Sequence, residues 1–102
     1  MQRPKEYEFS FETKVATLRR AKWACEDCGT PKQQARDGYL EIHHLLAVAA
    51  AINFYPSIAP AIITSLANAR ALCKDCHQKR DNAMRFDHPT YAAALIGMLV
   101  DA

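Results

Sequence analysis

Apolar residues recur at helical spacing near the start of the chain and alternate in a short stretch that follows. Residues 12–24 carry Val15 and Leu18 three positions apart, and this spacing predicts a helix. Ser10 stands just before that segment and suits the N-cap. Residues 39–44 have apolar side chains at every second position, which predicts a strand.

The middle of the chain is rich in alanine and isoleucine. Pro56 and Pro60 interrupt it, and proline is tolerated in the first turn of a helix but not in its interior. We therefore predict a short helix over about 45–54 and a second helical piece over about 60–66. These apolar stretches are most simply part of the core.

The last third of the chain predicts a strand followed by two helices. Residues 69–72 form the candidate strand, and the helical pattern over residues 74–86 contains opposite charges four positions apart. His88 and Pro89 are expected to break it, and an apolar helix follows over about 90–100. Strands and helices in this order predict an α+β fold, and 102 residues are the usual size of one domain, here residues 1–102.

Composition excludes several classes of protein. Half of the residues are hydrophobic and 24% are charged, as in ordinary globular domains. The longest apolar run has eight residues, whereas a transmembrane helix needs about 20, so no membrane association is expected. The first residues contain no apolar signal core, which favours a cytoplasmic location. A net charge of +2 does not by itself indicate nucleic-acid binding.

Four cysteines form two paired motifs, Cys25-x2-Cys28 and Cys73-x2-Cys76. A two-residue spacer lets one turn direct both sulfurs at one ion, and Zn²⁺ takes four thiolates tetrahedrally. The alternative is a pair of disulfides or a redox pair, which the lack of a secretion signal disfavours. We therefore predict one structural zinc ion, which would bring the formal charge from +2 to zero.

Three histidines and an asparagine lie between or beside these motifs. His43 and His44 are adjacent at the end of the first strand, so their side chains should point to opposite faces. His77 falls in the first turn of a helix, where the helix dipole favours the neutral, metal-binding ring. Asn68 suits a loop-pinning role through both ends of its amide. Each residue taken alone has an ordinary structural explanation.

Taken together, Cys25-Glu-Asp-Cys-Gly, Leu40-Glu-Ile-His-His-Leu and Asn68-Ala-Arg-Ala-Leu-Cys-Lys-Asp-Cys-His resemble the HNH endonuclease family. This family is of the ββα-metal (His-Me finger) type. The resemblance covers about 55 residues and spans both cysteine motifs. It implies a small ββα-metal core over about 39–86 with a four-cysteine zinc site and additional flanking helices.

The resemblance also implies an activity, namely nicking of double-stranded DNA by phosphodiester hydrolysis. His44 would be the general base, and Asn68 the structural asparagine. One catalytic divalent ion (Mn²⁺, Ni²⁺, Mg²⁺ or Zn²⁺) would bind His43 and His77. Asp81 stands one helical turn later, where some family members have a further functional residue. The products would carry a 5′-phosphate and a 3′-hydroxyl.

The sequence departs from the family in two places. The stretch from His44 to Asn68 is long and apolar, so an inserted helical element is expected there. Many relatives carry an aspartate at the position of His43, and an imidazole there shifts the metal preference away from Mg²⁺.

Basic side chains offer candidate contacts to the DNA backbone, and each has an alternative explanation. Arg70 is either a contact to the substrate phosphate or a solvated strand residue. Further candidates, any of which can be simply solvated, are Arg19, Arg20, Lys74, Lys79, Arg80 and Arg85. Trp23 is expected to pack near the zinc site. Both a monomer and a homodimer are compatible with the apolar content.

Two other functions remain open at this point. A non-catalytic zinc module that binds DNA or protein needs the cysteines but no particular residue at positions 43, 44 or 77. A zinc-linked redox protein is a third option, against which the paired cysteine motifs argue.

Overall fold

The computed structural model describes residues 5–101, except for the side chains of residues 85, 86 and 99–101. The suggested role of Arg85 therefore lies outside the described side chains. The main elements are α1 (Phe11–Arg20), β1 (Glu41–His44), α2 (Val48–Phe54), α3 (Pro60–Ile63), β2 (Ala69–Leu72) and α4 (Lys74–Asp101). The predicted α+β class is confirmed. Within the described range, no helix is long and apolar enough to cross a membrane.

The two strands form an antiparallel pair in which His43 lies opposite Arg70 and His44 lies opposite Ala69. Side chains of paired residues share a face of the sheet, and faces alternate along each strand. His43 and Arg70 therefore share one face, and His44 lies on the other. β1 begins two residues later than the predicted strand over 39–44.

Helix α1 begins one residue before the predicted start and ends four residues before the predicted end. The Ser10 hydroxyl caps it by accepting a hydrogen bond from the backbone N–H three residues later, at 3.1 Å. The helix ends at Arg20 because Lys22 and Trp23 both adopt positive φ angles, 55° and 59°. The Trp23 side chain is 48% exposed, and its packing near the zinc site stays a prediction.

The apolar middle of the chain supplies much of the core. Helix α2 starts three residues later than predicted, and α3 ends at Ile63. One buried cluster joins these helices to α4 through Leu46, Val48, Ala50, Ala51, Ile63, Met84, Ala92 and Leu95. The same segment also leaves Ile52 and Phe54 exposed, so it is not entirely core.

The two C-terminal helices that the sequence predicts occur as two segments of α4, with the break at Asp87. Asp87 has non-helical backbone angles (φ −137°, ψ 32°), and its carboxylate accepts a hydrogen bond from the Thr90 hydroxyl at 2.7 Å. Pro89 lies in the first turn after this break, where its missing N–H costs no helical hydrogen bond. The kink therefore lies one residue before the predicted His88–Pro89 break.

Candidate metal centres

The four cysteines meet at one point, as predicted. Cys25 and Cys28 lie in the turn after α1, and Cys73 and Cys76 lie at the start of α4. One atom from each lies within 4.8 Å of all the others, and the Cys28 and Cys73 sulfurs are 3.8 Å apart. A tetrahedral zinc site with Zn–S bonds of about 2.3 Å has S···S edges of about 3.8 Å. The cysteines are free rather than disulfide-bonded, so the cluster fits a zinc ion.

The surroundings of the cysteine cluster shift the pKa values of its thiols in both directions. Three of them are buried, and burial raises the pKa of Cys73 and of Cys76 above the ordinary thiol value. Cys28 is exposed, and hydrogen bonds from Thr30 lower its pKa to about 6. Cys73 and Cys76 must therefore lose protons when a metal binds, which makes metal binding at this cluster pH-dependent.

The first cysteine turn is attached to the outer edge of β2. The Glu26 backbone N–H donates to the Ala71 carbonyl at 2.8 Å, and the Ala71 N–H donates to the Glu26 carboxylate at 2.9 Å. Arg20 completes this contact by donating to Glu26 at 2.7 Å and to the Ala69 carbonyl at 2.5 Å. Burial raises the pKa of Glu26, but the Arg20 and Ala71 hydrogen bonds outweigh it, and the pKa lies below its ordinary value. Arg20 therefore holds α1, the cysteine turn and β2 together.

A second cluster lies on the face of the sheet that carries His43. One ligand atom from each of His43, His77 and Asp81 lies within 4.8 Å of the other two. His77 Nε2 is 3.4 Å from Asp81 Oδ2, and His43 Nδ1 is 3.8 Å from Asp81 Oδ1. Two ligands that each lie about 2.0–2.2 Å from one cation are separated by about 3–4 Å. The three side chains therefore fit a single divalent ion.

His43 is in the form that a metal requires. Its side chain is buried, and Nε2 has no hydrogen-bond partner among the described residues. Burial, followed by the charges of His77 and Arg80, lowers its pKa to about 3. The ring is therefore neutral at neutral pH.

Glu41 orients the second histidine, and the sequence analysis missed it. Its carboxylate contacts His77 Nδ1 closely. The carboxylate accepts a hydrogen bond from the protonated Nδ1 of His77. The lone pair of the ring is then on Nε2, the nitrogen that lies beside Asp81. The available signal was strand spacing, because Glu41 precedes His43 by two residues and so shares its face.

His44 adjoins the same cluster from the opposite face of the strand. Its ring is buried and stacks on Phe9, with centroids 4.0 Å apart and an interplanar angle of 17°. His44 Nε2 lies 2.8 Å from the Tyr7 carbonyl oxygen. A carbonyl only accepts, so Nε2 carries a proton. Tyr7 is therefore the orienting acceptor, which the sequence alone did not identify.

The three side chains of the second cluster and His44 border one cavity of about 140 Å³. Its lining includes His43, His44, His77 and Asp81. Liquid water occupies about 30 Å³ per molecule, so this volume admits an ion together with a few waters. His43 therefore contacts His77 and His44 contacts Phe9, but both histidines border this cavity.

Asn68 pins the chain that follows His44. Its side chain is fully buried, and Oδ1 accepts from the Leu46 N–H at 2.8 Å. Nδ2 donates to the carbonyls of Leu46 and Ile63 at 3.2 and 2.8 Å. The Asn68 carbonyl also accepts from the Leu45 N–H at 2.7 Å. Both ends of the amide are therefore used, in the manner expected from the sequence.

Arg70 does not line the cavity. Its guanidinium donates to the carbonyls of Ala67 and Ala69, and one nitrogen lies 3.4 Å from the Met98 sulfur. It borders a separate groove that also contains Arg80. Of the predicted site residues outside the cysteine motifs, His43, His44 and His77 border this cavity, whereas Asn68 and Arg70 do not.

Two other candidate DNA contacts are already paired within the protein. Arg80 makes two hydrogen bonds of 2.6 Å to the Asp27 carboxylate, and Lys74 lies 3.2 Å from Asp37. Arg80 lowers the pKa of Asp27 through these bonds, so the pair is charged at neutral pH. These side chains contribute less positive potential than the sequence suggests.

The sequence matches no family model, no curated protein and no solved structure. Function is therefore inferred from the quoted motifs and from the geometry of the two clusters.

Proposed function

We propose that this protein is a divalent-metal-dependent endonuclease of the HNH type that nicks DNA. In this proposal, the zinc ion of the four cysteines is structural, and β1, β2 and the first half of α4 form a ββα-metal core. One observation carries the proposal: His43, His77 and Asp81 can share an ion in the same cavity that His44 borders. A zinc module without catalysis requires no such arrangement.

The second cluster defines the catalytic cation site. A divalent ion bound there supplies positive charge beside the scissile phosphate and the leaving 3′ oxygen. Two imidazoles and one carboxylate suit Mn²⁺, Ni²⁺ or Zn²⁺ better than Mg²⁺, which prefers oxygen ligands. Asp81 joins the two predicted histidine ligands, and Glu41 fixes the ring of His77.

His44 acts as the general base. The Tyr7 carbonyl holds the proton on Nε2, so Nδ1 takes a proton from the attacking water. The imidazolium that forms keeps its Nε2–H bond to that carbonyl, which stabilises the new charge. A positioned base of this kind accelerates a reaction by about 10²–10⁴-fold. The products are a 5′-phosphate and a 3′-hydroxyl.

The proposed substrate is double-stranded DNA contacted through its backbone. One cation site per chain cuts one strand, so a monomer nicks and a homodimer would be needed to cut both strands. The competing function is a zinc-stabilised module that binds DNA or protein without cutting. It keeps the four-cysteine cluster and assigns no chemistry to the cavity.

A supercoiled-plasmid assay separates these two functions. Zinc-loaded protein is incubated with plasmid and with Mn²⁺, Ni²⁺, Zn²⁺ or Mg²⁺ in turn, and nicked circles are quantified. We expect nicking with the first three ions and a loss of at least about 100-fold in His44→Ala. Gln33→Ala, an exposed change outside both clusters, should nick like the wild type.

Circular dichroism and zinc content must show that His44→Ala is folded. Nicking that persists undiminished in folded His44→Ala removes this residue as the base. If the wild type binds DNA but cuts it with none of the four ions, the non-catalytic module is the correct function.

A further inference from the structure

A groove of about 350 Å³ lies beside the candidate cation site. Its wall includes Asn53 and Phe54 from α2 and His88 from α4, and it shares Ala47 and Asp81 with the cavity that His44 borders. The helix α2 belongs to the apolar stretch where the sequence departs from the HNH pattern. The added element therefore forms a surface directly next to the proposed chemistry.

The aromatic wall of this groove is rigidly built. The rings of Phe54 and His88 stack with centroids 4.3 Å apart and an interplanar angle of 7°. The Tyr55 hydroxyl lies 3.0 Å from His88 Nδ1 and fixes that ring from the side. Phe54 nevertheless remains 60% exposed, so one face of its ring is covered and the other is open.

An open aromatic face next to a cation site suits a nucleotide. A phosphate held at Asp81 through the cation carries its own sugar and base along the strand, toward the shared wall of the groove. Aromatic side chains bind unpaired bases by stacking, whatever their identity, because every base has a flat π-face. The exposed Asn53 amide adds a donor and an acceptor for the edge of a base.

Resting on the proposed function, we infer that Phe54 and His88 form a stacking platform for an unpaired nucleobase next to the scissile phosphate. In an intact duplex the bases are stacked on one another and cannot reach this ring. The preferred substrate is therefore DNA that is single-stranded or locally unpaired at the cut, such as a junction, a bubble or a supercoiled plasmid with opened segments.

Binding to labelled oligonucleotides tests this inference without any cutting. Fluorescence anisotropy with a single-stranded DNA 12-mer and the matched duplex gives both dissociation constants. It is carried out with Mn²⁺ on zinc-loaded His44→Ala protein, so that the cation is present and the proposed base is not. We expect Phe54→Ala to raise the single-strand constant between about 5-fold and about 150-fold and the duplex constant by less than about 2-fold. Phe11→Ala removes a phenylalanine that is 77% exposed on α1 and should change neither.

A spectroscopic variant distinguishes stacking from a merely structural role. Trp23 is the chain's single tryptophan, so Trp23→Phe with Phe54→Trp places the only indole on the platform. Stacking predicts that the single-stranded 12-mer quenches this fluorescence and that the duplex does not. Absence of quenching, with binding unchanged in Phe54→Ala, overturns the inference.

Two further outcomes are decisive. If the wild type fails to nick any plasmid but Phe54→Ala weakens single-strand binding, the platform stands and the nuclease proposal fails. If Phe54→Ala instead converts a dimer into a monomer in sedimentation and leaves oligonucleotide binding unchanged, the ring is a contact between copies, and the platform is refuted.

Discussion

Replacing Asn68 by alanine should remove a large part of the stability of the domain. The change leaves the buried Leu46 N–H without its acceptor at 2.8 Å. It also removes the donor to the carbonyls of Leu46 and Ile63, both of which belong to fully buried residues. A buried polar group left unsatisfied costs about 1–3 kcal/mol, so three of them together cost about 3–9 kcal/mol. Domains are typically stable by about 5–15 kcal/mol, so the variant should be close to unfolding.

Urea unfolding followed by circular dichroism measures this change, at one fixed free zinc concentration because bound zinc adds to the apparent stability. Asn68→Asp keeps the acceptor but turns a carboxylate oxygen toward two carbonyls, so it should cost at least as much as alanine. Ser65→Ala is the matched control, because its half-buried hydroxyl donates locally to Ile62 at 2.7 Å, and about 1 kcal/mol is expected. A loss below about 1 kcal/mol in Asn68→Ala would refute the reasoning.

Two predictions concern the metal centres. Glu41→Gln should weaken Mn²⁺ or Ni²⁺ binding at the second cluster by about 10–100-fold in calorimetry, because His77 loses the carboxylate that orients it. The zinc content of the cysteine cluster should stay the same. Unchanged Mn²⁺ or Ni²⁺ affinity would contradict this prediction. Cys76→Ser should release the structural zinc, measured by metal analysis, and should also abolish ion binding at the second cluster, although Cys76 is no ligand there. Retention of second-site binding by the zinc-free variant would show that the two clusters are independent.

The sequence was most informative where chemistry requires a fixed spacing. The two Cys-x2-Cys pairs predicted one cluster, and the sulfurs of Cys28 and Cys73 lie at the separation that zinc requires. Residues 69–72 were assigned as a strand at the bounds that β2 has. In each case the information is local, because a short motif determines which side chains meet.

The sequence was least informative where contacts join distant segments. The acceptor for His44 is a backbone carbonyl 37 positions earlier, and no residue type marks it. The end of α1 at Arg20 could not be predicted, because the positive φ angles of Lys22 and Trp23 belong to a turn that no glycine marks. Arg70 was considered either a phosphate contact or a solvated strand residue, and the sequence did not indicate that nearby carbonyls and a sulfur from α4 hold its guanidinium.

The two metal centres are mechanically linked through the first turns of α4. Cys76 belongs to the cysteine cluster, the next residue is His77, and Asp81 follows one turn later on the same helix. The other partner, His43, comes from β1, which is paired with β2, and β2 leads directly into Cys73. A zinc ion bound to the four cysteines would therefore fix the position and rotation of the helix against the sheet, and this would set whether His77 faces His43. A helix residue turns by about 100° per position, so even a small change in the start of α4 would separate these ligands.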